Sequence, residues 1–291
     1  MNMHPATFGP GLYDSMDAMT YHADPCEEPS LSSSIANILL TKTPKHARTE
    51  HPRLNPRAKK ASTRAMDLGS VAHEILLGKG VGFEVAPFDN YRTKAAQEWR
   101  ADALDRGKIP IKHDELEAEK AIASAVCGVL IEIPGAENAL CDGTPESVAI
   151  WRDNLGPICR TMFDWLDFDG GIVYDLKTTG TGIDDRSLNA KIAGDTTALD
   201  MRAVFRLRAL EHLFPERAGS FMFRWIFVES SAPFEVRVFE LDDTARTKGG
   251  RRCEFVISKW HECLTKNSWP GYPRQIERPV YPDWAIEDMH L

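Results

Sequence analysis

The sequence has no pair of cysteines spaced C-x-x-C; its six cysteines, Cys26, Cys127, Cys141, Cys159, Cys253 and Cys263, are scattered over 291 residues. That argues against a zinc or iron–sulfur centre and against a secreted disulfide framework in a chain of this size. No apolar run approaches the length of a membrane span, and the opening MNMHPATFGPGLYDSM lacks a basic segment followed by an apolar core. The expectation is a reduced, cytoplasmic protein with no membrane partner. Basic charge is not in excess either: 35 Lys and Arg stand against 43 Asp and Glu, a net charge of −8. This excludes coating nucleic acid by bulk charge, but not gripping a few phosphates through local cations and metal ions. Internal repeats are also missing. What is there, 43% hydrophobic and 27% charged residues, is a globular composition, enough for one large domain or two small ones.

Residues 1–29, rich in Pro, Gly, Met and acidic residues and without period, read as a loosely attached irregular arm, with 30–291 as a single domain. LSSSIANILLTKTPKHAR starts with a serine cap and predicts a short helix ending near Pro44. From Lys42 to Arg64 the chain is basic, with Glu50 the one acid. In an acidic chain such segregation suggests a phosphate-facing surface, with Arg57, Lys59 and Lys60 as candidate contacts; a solvated loop is the plainer alternative. RAMDLGSVAHEILLG places Gly69 and His73 four apart, on one helix face. FEVAP reads as a short strand, and 93–107 and 113–130 as polar amphipathic helices separated by a break at Pro110. ESVAIWRD, CRTMFDWLDFD and GIVYDLKTT read as three successive strands. A loop over 180–195 leads to a helix in TALDMRAVFRLRALEHLF, a hairpin of SFMFRWIFVES and FEVRVFELD, and a helix over 243–266. The closing SWPGYPRQIERPVYPDWA is irregular. The pattern is α/β, with a mixed central β-sheet flanked by helices.

Within IVYDLKTTG, Asp175 and Lys177 alternate onto one face of an otherwise apolar strand. Such a triplet is cheap, and a strand-end salt bridge would account for it. Eleven residues earlier, however, lies Asp164, and adjacent antiparallel strands can bring it beside Asp175. Two carboxylates and a lysine at one sheet edge make a site for a hard divalent ion, Mg²⁺ or Mn²⁺, with the Leu176 carbonyl completing the shell. Such an ion polarises a phosphate and activates a water, and the lysine orients or deprotonates that water. Removing Asp175 should then relieve like-charge repulsion and leave the fold intact.

This arrangement resembles the PD-(D/E)xK nuclease superfamily, with Phe163 where proline is usual. Over about residues 30–287 the chain resembles more specifically the exodeoxyribonuclease VIII type of phage and prophage recombination nuclease, a relative of lambda exonuclease. The resemblance rests also on TPKHA, on the Gly-x-x-x-His of LGSVAHEIL, on ESVAIW and on SWPGYP…YPDWA. It implies a restriction-endonuclease-like core and a Mg²⁺-dependent deoxyribonuclease, a 5′→3′ exonuclease on double-stranded DNA ends in phage-type recombination. It also implies a homo-oligomer that encircles DNA and a single-strand annealing protein as partner. By the same resemblance His73 is a metal ligand, and Glu146 an acid held near the water or the metal. The usual Gln-x-x-x-Tyr is replaced by Arg202 and Arg206, which share a helix face and could clamp a phosphate. Surface arginines balancing Asp200 or Glu211 are the plainer reading. An endonuclease or single-strand nuclease of the superfamily, or a DNA-end-binding protein with a decayed active site, are the rival functions.

Overall fold

The computed structural model describes residues 7–57 and 62–280, and regular structure begins inside the expected irregular arm. After β1 (Gly11–Tyr13), the Asp17 side chain caps α1 (Ala18–His22). β2 (Leu31–Ser32) runs into α2 (Ser33–Thr41), whose cap Ser32 accepts from the Ile35 N–H at 3.3 Å. Pro44 separates α2 from a second helix and opens it, α3 (Pro44–Glu50), because proline is pre-set for the first helical turn. α4 (Arg64–Leu77) starts on Thr63 and stops at the left-handed Gly78. Next come β3 (Phe83–Val85), α5 (Lys94–Asp105), β4 (Ile109–Ile111) and α6 (His113–Glu132). Five strands follow: β5 (Thr144–Pro145), β6 (Val148–Arg152), β7 (Ile158–Met162), β8 (Trp165–Asp167) and β9 (Ile172–Thr179). Then α7 (Asp185–Ala193) and α8 (Leu199–Leu213) cross over to β10 (Met222–Glu229), and β11 (Val236–Glu240) precedes α9 (Asp243–Lys266).

The strands among the described residues form a four-stranded sheet β1-β6-β7-β2, a five-stranded sheet β11-β10-β9-β8-β5 and the pair β3-β4. Both larger sheets are mixed: β9 and β10 are parallel, as are β2 and β7, and the other pairs are antiparallel. The fold is therefore the expected mixed α/β type with helices on the sheets.

Four details differ from the sequence reading. CRTMFDWLDFD is two strands, not one: β7 and β8 belong to different sheets, and Phe163 and Asp164 lie at the step between them. Pro110 sits inside β4, an edge strand, where its missing N–H costs no ladder bond. The 180–195 loop contains α7, capped by Asp184. From residue 7 on, finally, the expected arm carries regular structure and packs on the frame. β1 adds a strand to β6, and Met16, Tyr21 and Cys26 are buried with Val148, Ile150 and Ile158.

Burial on both faces of the five-stranded sheet fixes its register. Val173, Phe223, Trp225 and Phe227 face a core shared with α2, α8 and α9. Tyr174, Leu176, Ile226 and Val228 face the opposite way, onto Ala72 and Leu77 of α4 and Ile122, Val126 and Leu130 of α6. A polar network ties the N-terminal segment to this frame: buried Asp24 accepts from the Ser30 N–H and hydroxyl at 3.0 and 2.7 Å. It also meets Arg160 at 3.0 Å and His51 at 3.3 Å.

Glu119 of α6 is buried, with Oε2 lacking a hydrogen-bond partner among the described residues. Burial, aided by Glu115 and opposed by Arg64, pushes its carboxyl up to about 7. With the folded value raised, the native state retains a proton that the unfolded chain releases. Its cost is therefore absent at acid pH and grows as pH rises from the ordinary glutamate range through about 7. Glu119→Gln should remove that decline and stabilise the protein at pH 8 by about 1–3 kcal/mol. Urea unfolding at pH 5 and pH 8 reads both effects; an unchanged gap between the two pH values would count against this assignment.

Candidate active site

β10 pairs with β9 along its whole length, but on the other edge β8 pairs only with Ile172–Tyr174. Beyond Tyr174 that edge has no strand partner, so the peptide groups of Leu176 must be satisfied otherwise. The Leu176 N–H donates to Asp164 Oδ2 at 3.0 Å. Its carbonyl accepts from Lys177 Nζ at 3.1 Å and lies 3.1 Å from His73 Nε2. A carbonyl only accepts, so Nε2 carries the ring proton, and Nδ1 faces Asp164 Oδ2 at 3.8 Å. Asp164 is held from behind by the Glu146 N–H, which donates to its carbonyl at 3.2 Å from a left-handed backbone (φ 53°). Gly69 explains how His73 arrives there: a Cβ at Gly69 would stand 3.0 Å from Thr178 Oγ1, so glycine lets α4 lie close on β9.

Asp175 is buried, and both carboxylate oxygens meet cations. Lys177 Nζ is 2.5 Å from Oδ2 and Arg206 Nη2 is 3.2 Å from Oδ1. Burial opposes its ionisation, but Lys177, Arg206 and Arg202 hold the carboxyl well below the usual carboxylate range. Arg206 is itself buried and donates to the carbonyls of Met162 at 3.2 Å and Arg202 at 3.3 Å. It is engaged by the protein, and the structure thereby separates two arginines that the sequence paired as one clamp. Nor do the plainer counter-charges apply, since Asp200 pairs with Arg252 and Glu211 with Arg246.

Arg202 instead lines a cavity of about 580 Å³, together with His73, Glu146, Leu176 and Lys177. Its Nε is buried without a hydrogen-bond partner among the described residues. Burial and the neighbouring Arg206 push its guanidinium below the usual value, against the pull of Asp175 and Asp164. Burial also raises the Glu146 carboxyl, opposed by Lys79 and reinforced by Asp164. Sequence reasoning missed Lys79, whose charge acts on Glu146, and missed Ala18 and His22 of α1, which help line this cavity. The Asp17 cap was the one available signal for α1.

Among the described residues no three His, Cys, Asp or Glu side chains form a metal-binding group by themselves. The donors suited to a hard ion include a backbone oxygen. The Lys177 ammonium shows where they converge: 2.5 Å from Asp175 Oδ2, 3.1 Å from the Leu176 carbonyl and 3.7 Å from Asp164 Oδ2. Two carboxylates and a carbonyl gathered on one side are hard oxygen donors of the kind that suit a small divalent cation.

Of the candidate DNA contacts in the basic segment, Arg57 does not line this cavity. Arg57 is exposed, its N–H bonded to Asn55 Oδ1 at 3.2 Å, while Lys59 and Lys60 lie outside the described residues. Two other cations of that segment are spent internally: Arg53 on the Cys26 and Glu27 carbonyls, Arg64 on Glu115 and the Pro110 carbonyl.

Residues 33–278 match a family model described as a PDDEXK-like domain of unknown function (DUF3799). Among solved structures, the chain is similar to a candidate exonuclease from Eubacterium rectale at 11% identity and a TM-score of 0.57, covering 90% of this chain and 92% of that one. At that identity the likeness concerns the fold. A second structure, that of SSO0001, aligns at 12% identity over 68% of this chain and 88% of that one, with a TM-score of 0.27 too low to carry an argument. No curated protein matches the sequence.

The cations around Asp175 reverse the expected effect of removing it. Asp175→Ala leaves Arg206 buried beside Lys177 and Arg202 with no counter-charge, and should cost about 3–5 kcal/mol of stability. Denaturant unfolding measures it; a midpoint equal to wild type would restore the like-charge view.

Proposed function

The chain belongs to the PDDEXK-like (DUF3799) family, and from that premise we propose that it is a divalent-metal-dependent deoxyribonuclease acting on double-stranded DNA ends. The observation that carries this reading is the convergence of Asp164, Asp175 and the Leu176 carbonyl on the Lys177 ammonium, beside His73. Asp164, Asp175 and the Leu176 carbonyl would hold Mg²⁺ or Mn²⁺, with His73 adjoining. When bound, such an ion polarises a phosphate oxygen and lowers the pKa of a water.

The protein's own groups do the rest. Lys177 and Arg202 present positive charge to the phosphate, and the Arg202 Nε, without a partner among the described residues, matches an anionic oxygen of the substrate. Arg206 keeps Asp175 ionised and in place without touching the substrate. His73, held on the Leu176 carbonyl, orients that oxygen and faces Asp164. Glu146 lines the cavity wall, where its carboxyl, raised by burial, is placed for proton transfer.

The direction of cleavage is proposed as 5′→3′ from an end, by the sequence resemblance alone. Linear and nicked circular duplexes, end-labelled, should be digested with Mg²⁺ and again with EDTA. Degradation of the linear duplex alone, with label released first from the 5′ end and none released in EDTA, is the expected result. Cutting of the circle away from the nick would make it an endonuclease. Asp164→Asn keeps an oxygen for the Leu176 N–H but removes the charge, and should slow cleavage about 10²–10³-fold or more.

A further inference from the structure

Two motifs of the sequence take no part in the chemistry at Asp175. TPKHA opens α3 and SWPGYP follows α9, more than two hundred residues later. The fold brings them together as opposite walls of one cleft of about 760 Å³. Their contact is specific: the Lys45 N–H donates to the Pro270 carbonyl at 3.1 Å, and the Lys45 stem runs alongside Gly271. The His46 ring meets the Tyr272 ring edge-on at 5.6 Å, and Thr43 Oγ1 lies 2.7 Å from His46 Nδ1. Behind the cleft, Trp269 packs edge-on against the buried Trp260 at 5.2 Å, which in turn lies 5.2 Å from His51. The walls therefore rest on the core.

The contents of the cleft are unusual for a chain of net charge −8. Lys45, Arg48 and Arg274 line it, and none has an ion pair with any described residue, against the single acid Glu50. Elsewhere in the structure most arginines are paired or bonded to carbonyls, including Arg53 and Arg64 of the same basic segment. Tyr272 adds an aromatic side chain, the residue being 65% exposed although tyrosine is usually more buried. Unpaired cations beside an exposed aromatic face are the elements of a surface for single-stranded nucleic acid. Phosphates are held by charge and a base stacks on the ring, without selection of sequence. An acidic protein segment would use the cations but leave the ring without a partner.

We propose that the cleft between α3 and residues 268–274 binds a single strand of nucleic acid, with phosphates on Lys45, Arg48 and Arg274 and a base on Tyr272. This rests on the nuclease reading for the nature of the ligand, but involves none of the residues placed in the catalytic cavity. For an enzyme that degrades duplex ends, a second strand contact outside the cavity would retain the molecule on its substrate between cuts.

The test uses the full chain in EDTA, where no metal-dependent cleavage occurs, and fluorescence anisotropy of a labelled single-stranded oligonucleotide over a range of salt. Lys45→Gln/Arg48→Gln/Arg274→Gln should lower the log–log salt slope by about 2, from three contacts at roughly 0.7 each. Tyr272→Ala should weaken binding about tenfold with little change in slope. Unlabelled polyglutamate should compete far less well than unlabelled oligonucleotide. All four positions are at the surface, and equal thermal melts verify folding. Unchanged slope and affinity in these variants would overturn the proposal, as would polyglutamate competing equally, which would point to an acidic protein instead. The failures are separable. If wild type cuts DNA but the cleft variants bind as wild type, the cleft fails and the nuclease stands. If wild type binds through the cleft but never cuts with metal, the nuclease reading fails and the cleft stands.

Discussion

A carboxylate buried beneath a sheet is tolerable only if its charge is met, and most of the site follows from how Asp175 meets that need. Arg206 supplies one counter-charge from α8 and Lys177 the other from the same strand. Because Arg206 also caps the Met162 carbonyl at the end of β7, the ion pair ties the two large sheets and the crossover helix to one point. Removing Asp175 would leave Arg206 buried and uncompensated, which costs more than the pair itself contributes. The arrangement keeps Asp175 anionic whether or not anything is bound, so the site does not wait on a ligand to create its charge.

The second constraint is the place where β8 stops. Had β8 continued pairing along β9, the Leu176 peptide would be consumed by a ladder bond and its carbonyl closed to solvent. Instead the chain steps from one sheet to the other at Phe163 and Asp164, and Asp164 takes the freed Leu176 N–H. Phe163, which stands where the resembled motif has proline, has a use that proline could not fill. Its N–H donates to the Ser147 carbonyl at 2.9 Å, and its ring is fully buried. That bond fixes the step directly before Asp164, next to the Glu146 N–H that fixes the Asp164 carbonyl.

Strand alternation alone placed Asp175 and Lys177 on one face, and helical spacing placed Gly69 with His73; both are local periodicities that sequence carries directly. The spacing of Asp164 from Asp175 was also readable, because a short antiparallel connection converts separation into register. Nonlocal partners were not readable. Arg202 and Arg206 are one turn apart and look equivalent, yet burial against Asp175 consumes one and leaves the other facing the cavity. The same holds for Glu119, which on a polar-looking helix reads as solvated until α6 is seen packed on α4 and β10. β1, α1 and β4 escaped notice because elements of three to five residues show too little periodicity to stand out.

The segment before β2 bears on the site because of what holds it. Asp24 is buried yet fully met by Ser30, Arg160 and His51, and a satisfied polar network in a low-dielectric interior is rigid rather than merely tolerated. Arg160 lies on β7, two residues before the Met162 carbonyl that Arg206 caps, and also donates to the Tyr21 carbonyl of α1 at 3.2 Å. One strand thus anchors α1, which helps line the cavity, and the arginine that steadies the buried Asp175. Both are positioned by the same few residues of β7. The placement of α1 relative to Asp175 is therefore set by covalent continuity along one strand, not by the chance docking of an independent arm.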